Sequence, residues 1–423
     1  MLDKTIYDSF VAILKSELVP ALGCTEPIAI AYAAAKARDV LGLKPEKCTV
    51  GCSGNMVKNV MGVTVPNSGG SKGIKAAAVL GILGGDAQQE LAVLEPVTEK
   101  HREVMRELLK TEFCSVEHVK GVPNLYIMAT VEADGHKASV EISDTHTNIT
   151  RITKDGEEVF SGTGSVTEEA APDKSMLSVR RILDFADEVR LEDVQEIIDR
   201  QIECNSALSD AGLSGTYGAQ VGKTIIETRG DLTDVIIGRT AAGSDARMNG
   251  CALPAIINSG SGNQGITVSV PVIEYARQSG ISHEWLVRAL VVSNLTAIHQ
   301  KRFIGSLSAY CGASSAACGA AVGIAYLQDC DYAVICDTIT NMLGVISGMV
   351  CDGAKSSCAA KIAAAVSTAI ISLNMAKKKR SFCAGDGIIK SDVEKTVRSV
   401  GRLARDGMQQ TDEEIIAIMI EQD

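Results

Sequence analysis

The sequence predicts a mixed α and β (α+β) N-terminal domain joined to an all-helical C-terminal domain. Three observations lead there. At 423 residues the chain is long for one hydrophobic core. Strand-like segments separated by Asp-Gly turns crowd into the stretch from Leu125 to Gly156. From Ser178 onward strand signals nearly vanish, and Ala-, Ile- and Leu-rich stretches broken by glycines take over. The change falls in the polar stretch from Thr163 to Lys174, which contains Pro172. The expected domains are therefore 1–170 and 175–423.

Taken in order, Ile6 to Leu18 carries apolar side chains at helical spacing, and Ile28 to Leu41 is a second, Ala-rich helix. Between them lies Gly23-Cys24-Thr25-Glu26-Pro27, and proline suits a first helical turn, so Cys24 is expected at a helix N-terminus. Cys48 to Cys52 reads as a strand running into the polar loop Ser53-Gly54-Asn55. A glycine-rich loop from Pro66 to Gly73 precedes a helix over Ile74 to Leu83, and helical spacing returns from His101 to Lys110. Strands are expected at Leu125 to Glu132, Lys137 to Ile142 and Thr147 to Ile152, with turns at Asp134-Gly135 and Asp155-Gly156.

The net charge of −11 argues against a nucleic-acid-binding face, which needs clustered lysine and arginine. The one basic run, Lys377 to Arg380, reads as a solvated helix end. Phe303 to Leu327 contains no charged residue and is long enough to cross a bilayer, but its Ala, Gly, Ser and Cys content has little affinity for lipid. It reads as buried helices and turns, as does Ile362 to Ala376, so no membrane partner is expected. Thirteen cysteines spread over a large chain, with acid and no apolar run at Met1-Leu2-Asp3-Lys4, point to a reducing cytoplasm and thiols that are mostly core residues.

Some of those thiols could carry chemistry. Cys311 and Cys318, and again Cys351 and Cys358, are seven apart and bracketed by glycine and serine, so their thiolates could converge on a metal centre. Inert thiols in a small-residue helix interface would give the same spacing. Cys24, at the positive end of a helix, could be a stabilised thiolate or simply a buried cap. The loop Asn258-Ser259-Gly260-Ser261-Gly262-Asn263-Gln264-Gly265 offers backbone amides and polar side chains to a small carboxylate, or is an interhelical turn. His146 and Asn148, and the Ser53, Asn55 and Lys58 group, are further polar candidates, each readable as a capped turn or strand end. No lysine stands in a Schiff-base context.

In combination these segments resemble the L-cysteine desulfidase family, related to the alpha chain of iron–sulfur L-serine dehydratases. The resemblance rests on the Cys24 motif, the Ser53-Gly54-Asn55 segment, His146 to Ile149, Asn258 to Gly265, Cys311-Gly312 and Cys351 to Lys355, and runs in one order from about Tyr7 to Ile420. It implies a [4Fe–4S] cluster held by Cys311, Cys351 and Cys358 with one iron open, Cys318 being the competing ligand. It implies Cys24 as the base that takes the α-proton, and Ser53, Asn55, Lys58, His146, Asn148, Asn258, Gly260 and Asn263 around the substrate. The implied reaction converts L-cysteine and water to pyruvate, ammonia and sulfide. L-serine dehydration and a non-catalytic iron–sulfur sensor or sulfur carrier are the rival readings, and a homodimer is one expectation for the assembly.

Overall fold

A computed structural model describes residues 2–162, 172–228, 230–305 and 308–420. Most of the expected domain boundary, 163–171, lies outside the described residues.

The chain opens with α1 (Lys4–Glu17), capped by the Asp3 carboxylate, and a short strand β1 (Pro20–Leu22). Next comes α2 (Thr25–Leu41), which ends where Gly42 turns left-handed. A six-stranded sheet follows, built from β2 (Lys47–Cys52), β3 (Cys114–His118), β4 (Tyr126–Ala133), β5 (His136–Ser143), β6 (Ile149–Lys154) and β7 (Glu157–Ser161). Its order is β3-β2-β4-β5-β6-β7. Only β2 and β3 are parallel, and the crossover between them carries α3 (Gly54–Val60), α4 (Gly73–Gly84) and α5 (Glu99–Leu108). Asp134-Gly135 and Asp155-Gly156 both adopt positive φ, as two-residue hairpin turns require. The buried Ala-rich helix α2 packs on β4 and β5, and α4 packs on α2. Gly81 is needed there, because a Cβ would stand 2.2 Å from the Ala31 carbonyl oxygen.

Among the described residues, the secondary structure that follows is helical with one exception, a short strand. In order come α6 (Val179–Glu188), α7 (Gln195–Ser214), α8 (Val221–Thr228), α9 (Leu232–Met248), α10 (Gly262–Ser279), α11 (His283–Ile304), α12 (Gly312–Leu327), α13 (Tyr332–Ile346), α14 (Cys358–Lys377), α15 (Val393–Arg402) and α16 (Gln409–Ile420). The exception, β8 (Pro254–Ile256), corrects the all-helical expectation: it pairs antiparallel with β1. The later part of the charge-free stretch predicted as buried helices and turns is α12, whose side chains are nearly all enclosed between α10, α11 and α14. Among the described residues one helix, α14, is long and apolar enough to cross a membrane, and here it lies against α9, α12 and α13.

Two large apolar cores result. One joins the sheet to α2 and α4. The other is built by the later helices together with Phe10, Ile13, Leu14 and Leu18. The first helix thus packs with the helical part although it precedes the sheet in sequence. At the opposite end, α16 lies on α3, and Lys58 of α3 is ion-paired with Asp412 of α16.

Candidate functional site

Between the two cores lies a cavity of about 640 Å³, and its walls come from both. Cys24, Asp144, His146, Gly260, Asn263, Cys311, Cys351 and Cys358 all line it.

The three late cysteines are brought together by backbone. Tyr310 and Val350 form an isolated antiparallel bridge; beside it the Cys311 amide donates to Met349 O at 2.9 Å and the Cys351 amide to Ala309 O at 2.6 Å. Cys311 is then the N-cap of α12, whereas Cys351 stays in a loop. That loop turns at Gly353, where φ is 89° and a Cβ would lie 2.0 Å from the Lys58 carbonyl oxygen. Only glycine fits there. The chain then reaches Cys358, the first residue of α14. Asp352 fastens the loop by pairing with Lys355 and Lys361, and these ammonium groups hold its carboxyl down at about 2 against the opposing effect of burial. Cys351 and Cys358 therefore converge across a loop, not along one helix face.

Burial, with the neighbouring Cys351 next, pushes the Cys311 thiol up to about 12, and burial also raises Cys358. A cation is what such a crowded thiol set needs before it releases its protons. Among the described residues no group of three or more His, Cys, Asp and Glu stands ready to hold a single metal ion. What the cavity offers is three cysteines on its wall, the ligand type that iron–sulfur clusters take. Cys318, the competing ligand, is fully buried in the helical core and is not among the residues that line the cavity.

Cys24 reaches the cavity from the other side. It is the N-cap of α2, and Gly23 before it has φ 59°. Its Sγ donates to Glu26 Oε2 at 2.9 Å, and Glu26 also accepts from Thr25 Oγ1 at 3.1 Å and Asn59 Nδ2 at 3.3 Å. Of the two readings of Cys24, the resting thiol fits the buried cap: burial, then the Glu26 carboxylate, push it well above its ordinary value, with Arg247 pulling the other way. Cys358 and Ala354 pack against the small apolar group of Cys24, Val63 and Met248, so the early and late cysteines meet.

The floor is the turn at Asn258 to Ser261, closed by two backbone hydrogen bonds of 3.1 Å, with Ser259 and Gly260 at positive φ. Ser261 then caps α10 by accepting from the Gln264 amide. Beside it stands Arg247, from the last turn of α9, 3% exposed. Its Nη1 donates to Asn263 Oδ1 at 3.3 Å, while its buried Nε has no partner among the described residues. Gly262 leaves it room, since a Cβ there would sit 2.2 Å from Nε. His146 contributes a buried Nε2 with no partner among the described residues, and burial lowers its pKa, with Glu26 opposing, so the ring is neutral at pH 7.

Other expected contacts lie elsewhere. Ser53 caps α3 and donates to Asn124 O at 2.6 Å, and with Asn55 it lines a neighbouring cavity. Lys58 is buried and spent on Asp412. Asn148 donates to Ser143 O at 3.0 Å and fastens its own turn. Asn258 lies behind the floor, bonded to Asn294 Oδ1 at 2.9 Å. None of these five is among the residues that line the cysteine cavity. Conversely, Glu26, Arg247, Gln264 and Lys301 line the cavity without having been singled out. Glu26 was inside a quoted motif; the helical runs holding Arg247 and Lys301 carry no local signal.

The sequence pattern of the serine dehydratase alpha chain matches residues 88–417. A UPF0597 protein of Lachnoclostridium phytofermentans is 51% identical over 98% of this chain and 100% of its own length. Those of Treponema denticola and Desulfitobacterium hafniense are 46% and 48% identical, over 99% and 98% of this chain and 99% and 97% of their own lengths. With a match over most of its length and relatives this similar from end to end, the chain belongs to the serine dehydratase alpha chain family.

Proposed function

We propose that the protein is an iron–sulfur carbon–sulfur lyase, an L-cysteine desulfidase that converts L-cysteine and water to pyruvate, ammonia and sulfide. The observation that carries this reading is the meeting of Cys24, hydrogen-bonded to Glu26, with Cys311, Cys351 and Cys358 around one cavity. Cys311, Cys351 and Cys358 would hold a [4Fe–4S] cluster, which when bound supplies a Lewis-acidic iron toward the substrate's leaving group.

The chain's own residues supply the rest. Arg247 and Asn263, with the amides at the start of α10, bind the substrate carboxylate; a buried guanidinium lacking a carboxylate partner among the described residues is suited to one. His146, neutral, accepts from the substrate amine through the nitrogen left without a proton. Cys24 passes its proton to Glu26 along their hydrogen bond and removes the α-proton as thiolate. Loss of the β-substituent then gives aminoacrylate, which tautomerises and hydrolyses to pyruvate and ammonia. The enclosing walls fix the amino acid so that the Cα–H faces Cys24.

L-serine is the second substrate reading, favoured by the family match. The test is anaerobic reconstitution with iron and sulfide, followed by kcat/KM for both amino acids. A higher value for L-cysteine is expected. A higher value for L-serine overturns the desulfidase assignment, and pyruvate from neither overturns the lyase reading.

A further inference from the structure

Lys301, in the last turn of α11, lines the cavity and is 6% exposed. Among the described residues its ammonium has neither a hydrogen bond nor an ion pair. The other lysines around it are satisfied: Lys58 pairs with Asp412, Lys361 pairs with Asp352 and donates to Val350 O, and Lys174 pairs with Glu17. Arg302 donates to the carbonyls of Lys174 and Leu177. The groups that act on Lys301 electrostatically are Cys351 and Cys311, with the spent Lys58 opposing. A largely buried lysine on the wall of a cavity, with no carboxylate paired to it among the described residues, carries a charge that is costly in a protein interior.

We infer that Lys301 is the counter-charge held in this cavity for an anionic cluster bound by Cys311, Cys351 and Cys358. This rests on the cluster reading above. Three thiolates leave a [4Fe–4S] assembly with a net negative charge, and of the two cations it is Lys301 that Cys351 and Cys311 act on, whereas Arg247 acts on Cys24. The two unpaired cations thus divide the work: Arg247 takes the substrate carboxylate and Lys301 the cluster. As a positioning residue, Lys301 sets how firmly the cluster is kept and at what potential it is reduced.

The test compares wild type, Lys301→Met and Lys301→Arg, each reconstituted anaerobically and each also prepared free of iron. Resistance of bound iron to a chelator is expected to fall about 10-fold or more in Lys301→Met, with a more negative reduction potential, and to stay near wild type in Lys301→Arg. Without iron, Lys301→Met is expected to melt at or above the wild-type temperature, because it removes an unpaired buried charge. A residue that merely packs would lower stability in the iron-free protein as well. Unchanged chelator resistance and potential in Lys301→Met, or an iron-free Lys301→Met that melts well below wild type, overturns this inference alone. A wild-type protein that takes up no iron overturns the cluster reading and this inference with it.

Discussion

Two sets of three cysteines sit in the two halves of this molecule, and they have little in common beyond the thiol. Cys48, Cys52 and Cys114 lie in the sheet, with Cys48 and Cys114 in register across the parallel strands β2 and β3. The interaction of the Cys48 thiol with that of Cys114, together with burial, raises Cys48 well above its ordinary value. All three are packed into the core of sheet, α2 and α4, where neighbouring side chains fill the space. Cys311, Cys351 and Cys358 stand instead at a helix cap, in a loop and at a helix start. They line an open cavity, and Lys301 and Lys361 border it. Proximity of thiols is therefore not what makes a candidate site. Backbone that ends in an open space, with charge nearby, is.

The sharpest way to break that contrast is to remove one thiol from each set. Cys351→Ala is expected to abolish iron uptake and turnover, while Cys48→Ala keeps a full iron content, measured by iron per chain after anaerobic reconstitution. Equal iron loss in both variants would erase the distinction. Next in size, Cys24→Ala should lower kcat by about 10²–10⁴-fold, the usual worth of a positioned base, with iron content unchanged. Arg247→Gln should lower kcat/KM by about 10–100-fold, carried mainly by KM, because it removes a charge-assisted hydrogen bond worth about 1.5–3 kcal/mol.

The sheet set should answer only to stability measurements. Cys48→Ala is expected to cost about 1–2 kcal/mol in denaturant unfolding, from a small void in a tight core. The smallest effect concerns a buried acid with no ascribed chemistry. Asp245 is 1% exposed, accepts from the Gly222 amide at 3.0 Å, and is pushed up to about 6 by burial. A carboxyl whose folded pKa exceeds its unfolded value binds more protons when folded. Its contribution to stability therefore falls as pH rises from about 4 to about 6 and is flat beyond. Asp245→Asn should remove that slope, read as Tm against pH; an unchanged slope would place its origin in another group.

Much of the sheet was legible because its signals are local. Asp134-Gly135 and Asp155-Gly156 mark hairpins whatever the rest of the chain does, and β4, β5 and β6 follow from alternation on either side. The parallel strand β3 was not legible, since its partner lies on the far side of a long crossover. Nor was the pairing of β1 with β8, which joins Pro20 to Ile256 through three residues on each side. The apolar face of α1 was plain in Phe10, Ile13 and Leu14, but not that it would be buried against helices that follow Leu177.

At the candidate site, the sequence by itself determined the residue types: a thiol at the start of α2, a glycine-rich turn before α10, and the cysteines Cys311, Cys351 and Cys358 in segments of glycine and serine. Motif and capping signals are short in range, so they survive being read one segment at a time. The tertiary structure alone decided which of them face one another. It turned Lys58 toward Asp412 and enclosed Cys318 among helices. It also brought Arg247 and Lys301 to the cavity without a carboxylate partner among the described residues. Whether a charge is satisfied depends on what distant elements place beside it, and that is fixed only when the helices pack.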